Sequence, residues 1–270
     1  MAYVTKSTLR ERVIALLYIM ILLCAAVSLY FLLIFPTQWV KIERIQHSIG
    51  IGRRIVQISD LHVERLRVSP ERLRVLVAKE QPDLIFLTGD YTQKLKYVPL
   101  VDTYLRELAK LGVPIYAVLG NHDYRLGHDV DALLDVFQRL HIPVLRNESV
   151  KLSGFTLVGI DDFVSHKMRV KQAFEGVGED DKIVVITHDP NVTLRIFRRY
   201  DYLMCGHFHG KQIRLPFLYY FKQKGPLAKK GIYEGLHRNR WGVFYISKGI
   251  SQAQLNIRFM VRSEFTVHEL

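Results

Sequence analysis

From Val13 to Phe35 the chain is apolar, rich in Leu, Ile, Ala and aromatics, with no charged residue and no alternation. At about 1.5 Å per residue such a run crosses the roughly 30 Å of a bilayer's hydrocarbon core. It exceeds the roughly 7–15 residues of a signal-peptide core, so the pattern predicts an uncleaved single-pass anchor over 13–35 behind a short tail, 1–12. Pro36 is expected to end the helix and Trp39 to sit at the interface. Residues 36–52 read as a linker and 53–270 as one catalytic domain.

Beyond Gly52 the pattern changes to short β-branched runs alternating with amphipathic stretches. Strands are expected at 54–59, 84–87, 115–119, 156–160, 183–187 and 202–205, and a β-rich tail at 243–247 and 265–268. Helices are expected behind Pro70 at 71–79, and at 101–110, 130–140, 170–174 and 192–198. Repeated βα units argue an α/β domain in which sheet and helices stack.

Composition changes this picture little: 49% hydrophobic and 24% charged residues suit one large globular domain. The formal charge of +12 does add something, because it favours anionic partners: nucleic acid, acidic lipid or a phosphorylated substrate. No basic recognition helix or RNA-binding signature appears, so no specific nucleic-acid partner is expected. Lys6, Arg10 and Arg12 precede the apolar run and Lys41, Arg44, Arg53 and Arg54 follow it, so charge asymmetry assigns the domain to neither side. Two cysteines, Cys24 and Cys205, exclude a thiolate zinc site.

The chemistry gathers just after the expected strands. There stand Asp60 with His62, Gly89 with Asp90, the run Gly120, Asn121, His122, Asp123, then His188 with Asp189, and the run Gly206, His207, Phe208, His209. Strand ends are where α/β sheets place their sites. In an extended strand end, Asp60 and His62 would share one side and Leu61 would face the core, and His207 and His209 would follow the same rule. A lone Gly–Asp or Asp–Leu–His is most often a turn or a cap. Five such groups in one order read instead as a mixed oxygen and imidazole ligand set for Mn, Fe, Zn or Co.

That ordered set resembles the calcineurin-like metallophosphoesterase superfamily, whose signature runs DxH, GD, GNH(D/E), a lone H, then GHxH. The run from Gly206 to Pro216, GHFHGKQIRLP, is similar to the GHTHGGQIRLP of a bacterial branch with an N-terminal membrane or export segment. It departs at Phe208 and at Lys211, whose ammonium could meet a substrate phosphate. The resemblance implies a four-layer sandwich, two mixed β-sheets flanked by helices, preceded here by the transmembrane helix. It also implies two divalent ions, manganese first and Fe, Zn or Co as alternatives, with Asp60, His62 and His209 on one, Asn121, His188 and His207 on the other, and Asp90 on both. Two ions about 3.5–4 Å apart hold a bridging hydroxide and polarise a phosphoryl group for in-line attack. By the same resemblance His122 stabilises the transition state or protonates the leaving oxygen, with Asp123 orienting its ring.

The expected activity is hydrolysis of a phosphodiester or pyrophosphate bond in a lipid-linked or nucleotide-linked substrate at a bacterial cell membrane. UDP-2,3-diacylglucosamine pyrophosphatases are the most specific resemblance. A protein phosphatase and a non-catalytic metal-binding scaffold are the rival functions. The aromatic and basic stretch 215–230 reads either as a rim on an anionic membrane or as core aromatics with solvated lysines.

Overall fold

A computed structural model describes residues 9–215 and 224–270. The described residues begin with helix α1 (Leu9–Leu29), which continues through a π-helical turn at Tyr30–Ile34 into α2 (Phe35–Gln38). Pro36 therefore does not end the helix as expected. A proline cannot donate to the carbonyl one turn back and crowds it, and the wider π turn just before it absorbs that defect while the Phe35 amide bonds Tyr30 O. The helix is long and apolar enough to cross a membrane, and its apolar window is wholly exposed.

The first half then runs β1 (Lys41–Gln46), β2 (Arg54–Ile58), α3 (Pro70–Ala78), β3 (Leu84–Thr88), α4 (Val98–Ala109), β4 (Ile115–Val118) and α5 (Val130–Arg139). The second runs β5 (Glu148–Leu152), β6 (Phe155–Gly159), α6 (Val170–Ala173), β7 (Ile183–Ile186), β8 (Tyr202–Cys205), α7 (Pro226–Lys229), β9 (Gly235–Asn239) and β10 (Gly242–Ile246), and β11 (Glu264–Glu269) crosses back. One sheet is ordered β1-β11-β2-β3-β4 and the other β5-β6-β7-β8-β10-β9. Both are mixed, and the parallel runs β2-β3-β4 and β6-β7-β8-β10 send their C-terminal ends to the site.

Two expectations fail here. Residues 41–46, read as linker, form β1, an edge strand parallel to β11 from Lys41↔Glu264 to Gln46↔Glu269. Its charged alternation, KIERIQ, is that of an edge strand with one half-buried face. Residues 192–198 make no helix but a 3₁₀ turn, Pro190–Leu194, in which the Asp189 carboxylate accepts the Asn191 amide. Pro190 sets the first turn, and β-branched Val192 and Thr193 propagate a helix poorly.

Strand periodicity builds the layers. Along β2, Ile55 enters the seam between the sheets while Val56 and Ile58 face α3, α4 and α5. The helices present matching stripes, Leu73 and Val77 on α3, Leu105 and Leu108 on α4, Val136 and Phe137 on α5. Ser69 caps α3 by accepting the Arg72 amide, with Pro70 at its first position. The outer face of the second sheet packs α6, α7 and the Pro190 turn through Ala173, Leu227, Val192 and Ile196. Two mixed sheets flanked by helices are thus the α/β sandwich that was expected.

One polar line crosses the apolar seam. Tyr202 Oη lies 3.0 Å from His268 Nδ1, and His268 Nε2 lies 3.0 Å from Gln57 Oε1. Gln57 Nε2 in turn donates to Thr88 Oγ1 (3.0 Å) and to Cys205 O (2.9 Å). Every one of these buried groups is satisfied if His268 is neutral, with Nε2 protonated.

Candidate metal centre

The loops after β2, β3, β4, β7 and β8 converge at the strand ends. Asp60, His62, Asp90 and His209 bring one ligand atom each to within 4.8 Å of one another, and Asp90, His188 and His207 do the same. All are buried, and Asp90 belongs to both groups. His188 Nε2 is 3.1 Å and His62 Nε2 3.4 Å from Asp90 Oδ2, while His209 Nε2 is 3.2 Å from Asp60 Oδ1.

The side chains converge by a different backbone route from the one expected. β2 ends at Ile58 and β8 at Cys205, so the ligand-type residues lie past the extended segments. Asp60, His62, Asp90, His207 and His209 all have φ between 33° and 73°. This left-handed region is sparsely populated outside glycine, and its concentration at one spot marks a strained site that the surrounding fold imposes. Leu61 and Phe208 do turn into the core, as expected. Gly206 is required by close approach, because a Cβ there would lie 1.9 Å from Ser59 Oγ and 2.5 Å from Asp60 Oδ2.

Imidazole orientation is set from behind. His188 Nδ1 lies 2.8 Å from Thr88 O and His209 Nδ1 3.1 Å from Ser251 O. Each carbonyl takes the Nδ1–H and turns Nε2 toward the carboxylates. Burial holds His62 down to about 3 and drives His207 and His209 well below the ordinary imidazole range, so all three stand neutral. Burial alone would raise Asp90, but His188 beside it holds the carboxyl well below the usual range.

These residues fit divalent ions. Asp60 Oδ1, His62 Nε2, Asn121 Oδ1 and His209 Nε2 are buried with no hydrogen-bond partner among the described residues. Such orphaned acceptors are costly, and a cation is what satisfies a set made only of carboxylate, amide oxygen and imidazole lone pairs.

His122 sits at the edge of this centre, its ring centroid 4.6 Å from that of His62 and its amide donating to Asp90 Oδ1 at 2.7 Å. The expectation that Asp123 orients its ring is wrong. Asp123 Oδ2 accepts the amides of Gly120 (2.8 Å) and Asp90 (2.9 Å), and Oδ1 those of Tyr91 (2.7 Å) and Thr92 (3.1 Å). With four amides on two oxygens, Asp123 ties two ligand loops together. Gln93 Oε1 is the group at His122 Nδ1, 2.9 Å away, and it also accepts Arg125 Nη1 at 2.9 Å. No pattern in the sequence singles out Gln93.

Lys224 reaches in from α7's leading edge, donating to His207 O at 2.7 Å, and its segment is pinned by Asn191, which bonds Lys224 O and the Leu227 amide. Lys211 instead lies over the Tyr233 ring, 3.9 Å from its centroid. Of the stretch expected to form an aromatic and basic rim, residues 216–223 lie outside the described residues.

A two-sheet α/β sandwich carrying two acid–imidazole clusters that share one aspartate defines the class of binuclear metallohydrolases. The model of the calcineurin-like phosphoesterase family matches residues 53–211, and the chain belongs to that family. It is similar to the uncharacterized metallophosphoesterase YkoQ of Bacillus subtilis, 37% identical over 224 residues, 80% of this chain and 83% of that protein. It is also similar to the phosphodiesterase YaeI of Escherichia coli, 28% identical over 84% of this chain and 88% of that one. Among solved structures, a dimetal phosphatase from Danio rerio aligns with a TM-score of 0.48 and 12% identity, over 74% of this chain and 88% of that one. The protein is a metal-dependent phosphohydrolase.

Proposed function

We propose that the protein is a membrane-anchored phosphodiesterase or pyrophosphatase that works with two divalent ions, manganese first among them, on a lipid-linked or nucleotide-linked phosphate. The observation that carries the two-ion reading is Asp90, whose carboxylate is common to both clusters. Asp60, His62 and His209 would complete one position, His188, His207 and Asn121 the other. When bound, a pair of divalent ions supplies Lewis-acid polarisation of the phosphoryl group and activation of water for in-line displacement.

The chain's own residues supply the rest. Gln93 Oε1 at 2.9 Å and Arg125 Nη1 at 3.3 Å both engage His122 Nδ1, which leaves Nε2 to meet the reacting phosphate or its leaving oxygen. Burial lowers His122 to about 4, so the ring is neutral until an anionic phosphate raises its proton affinity. The Lys224 ammonium offers positive charge beside His207, where a phosphate oxygen would arrive.

Anchoring is supported by the way the helix ends. Thr37 is buried in the domain, Ser263 donates its amide to Pro36 O (3.0 Å) and its hydroxyl to Thr37 O (3.1 Å), and Arg262 stacks on Trp39 at 3.5 Å. A segment stitched in this way belongs to the domain, and the bare apolar helix above it needs a bilayer to cover it. A lipid-linked phosphate fits that placement and the charge of +12.

The test is hydrolysis of bis(p-nitrophenyl) phosphate by the full chain in detergent, stripped of metal and reloaded with Mn, Fe, Zn or Co. Restored turnover that Asp90→Ala abolishes supports the reading, and a second screen with pyrophosphate-linked lipids decides the substrate class. Two bound ions with no turnover on either would leave the scaffold reading standing.

A further inference from the structure

Arg258 is the largest fully buried side chain among the described residues and lies outside every motif discussed so far. A buried guanidinium is expensive unless its N–H groups find acceptors. In Arg258 the two terminal nitrogens find backbone carbonyls, while Nε has no partner among the described residues. Nη2 approaches Lys248 O (2.8 Å), Gly249 O (2.8 Å) and Ser251 O (2.6 Å), and Nη1 donates to Arg262 O (2.9 Å). Three of the four belong to one short loop, 248–251.

That loop is the back wall of one metal position and not of the other. The Ser251 amide donates to Asp60 O (3.1 Å), its hydroxyl to His62 O (3.2 Å), and its carbonyl accepts His209 Nδ1 (3.1 Å). Gly249, at φ +70°, lies so close that a Cβ would meet Asp60 Cβ at 2.8 Å. All three residues peculiar to the Asp60–His62–His209 position thus rest on Ser251, and Arg258 holds the Ser251 carbonyl. On its other side, the Arg258 amide donates to Leu33 O at the end of the N-terminal helix (2.9 Å). Its neighbour Arg262 donates to Trp39 O and Val40 O, both at 3.0 Å.

We propose that Arg258 is a positioning residue for the Asp60–His62–His209 metal position, bracing that position against the fixed end of the N-terminal helix. This rests on the two-ion reading above. The bracket makes affinity at one of the two positions depend on the junction between helix and domain. If the clamp is lost, the Ser251 carbonyl no longer fixes which His209 nitrogen carries the proton. Loss of such an outer partner typically costs about 10–100-fold in metal affinity.

The test is equilibrium binding of Mn²⁺ to the full chain in detergent, with free ion read by electron paramagnetic resonance. Wild type should bind two ions. Arg258→Met should keep one at wild-type affinity and weaken the other by about 10–100-fold, with Arg258→Lys between the two. Added to His207→Ala, Arg258→Met should weaken the remaining ion; added to His209→Ala it should change nothing further. Arg262→Ala, which loosens only the junction, should weaken the same ion by a few-fold. Equal weakening of both ions, or of neither, overturns the assignment to Arg258. An Arg262→Ala chain that binds as wild type overturns the link to the helix. Should Arg258→Met fail to fold, the Arg258→Lys titration decides by the same criteria. A wild-type chain that binds fewer than two ions sinks the two-ion reading itself and this proposal with it.

Discussion

Oε1 of Gln93 lies 2.9 Å from Nδ1 of His122, in the place where the motif order suggested a carboxylate. A neutral amide orients the imidazole without the charge that would favour its protonated form. Gln93→Leu should therefore lower kcat about 10-fold, part of the roughly 10²–10⁴ that general acid–base help contributes, with metal content unchanged. Gln93→Glu sets an anion beside the ring and should move the His122 limb of the pH–rate profile upward by roughly 1–3 units. A limb that stays where it is would remove Gln93 from the proton path.

Asp123 and His122 are chain neighbours with opposite expected phenotypes. Asp123→Ala strips the acceptor from four amides, at about 1–3 kcal/mol for each group left unsatisfied, and frees the loop that carries Asp90. It should lower stability and the affinity for both ions together. His122→Ala should keep both ions and slow turnover. Metal content by mass spectrometry beside urea unfolding separates the two, and an Asp123→Ala chain that still holds two ions would contradict the tie described here.

The six acid and imidazole residues that the structure gathers, Asp60, His62, Asp90, His188, His207 and His209, were legible because few side chains suit such a cluster and they recur in order after apolar runs. What set them in place was not legible. Asp60 and His62 converge through left-handed backbone that no local pattern announces. Strands β1, β5 and β9 are edge strands, and their half-exposed, charged sequences mimic linkers. Gln93, Ser251 and Arg258 act through partners remote in sequence, or through backbone carbonyls whose positions only the fold determines.

Gly206 is legible and also testable. A methyl group at that position meets Ser59 Oγ and Asp60 Oδ2 well inside contact distance, and both side chains are fully buried just past the end of β2. Gly206→Ala should cost about 1–3 kcal/mol by overpacking and push Asp60 off its position, so that one ion is lost before the fold is. Two-ion binding at wild-type affinity in Gly206→Ala would show that the Ser59–Asp60 segment yields.

His268 gives a stability signature independent of the metals. Burial holds its folded pKa down to about 3, against about 6.5 for an unfolded imidazole. As pH falls the unfolded chain takes the proton first, so the contribution is complete above 6.5 and is lost as pH drops from there toward 3. The slope is at most about 1.4 kcal/mol per pH unit for one such group. His268→Gln keeps a polar link to Gln57 but cannot titrate. The difference in urea midpoint between wild type and His268→Gln, both metal-free, should shrink steadily from pH 7 to pH 5. A constant difference would mean that the line from Tyr202 through His268 to Gln57 accommodates a charged imidazole, and that the seam is wetter than its burial implies.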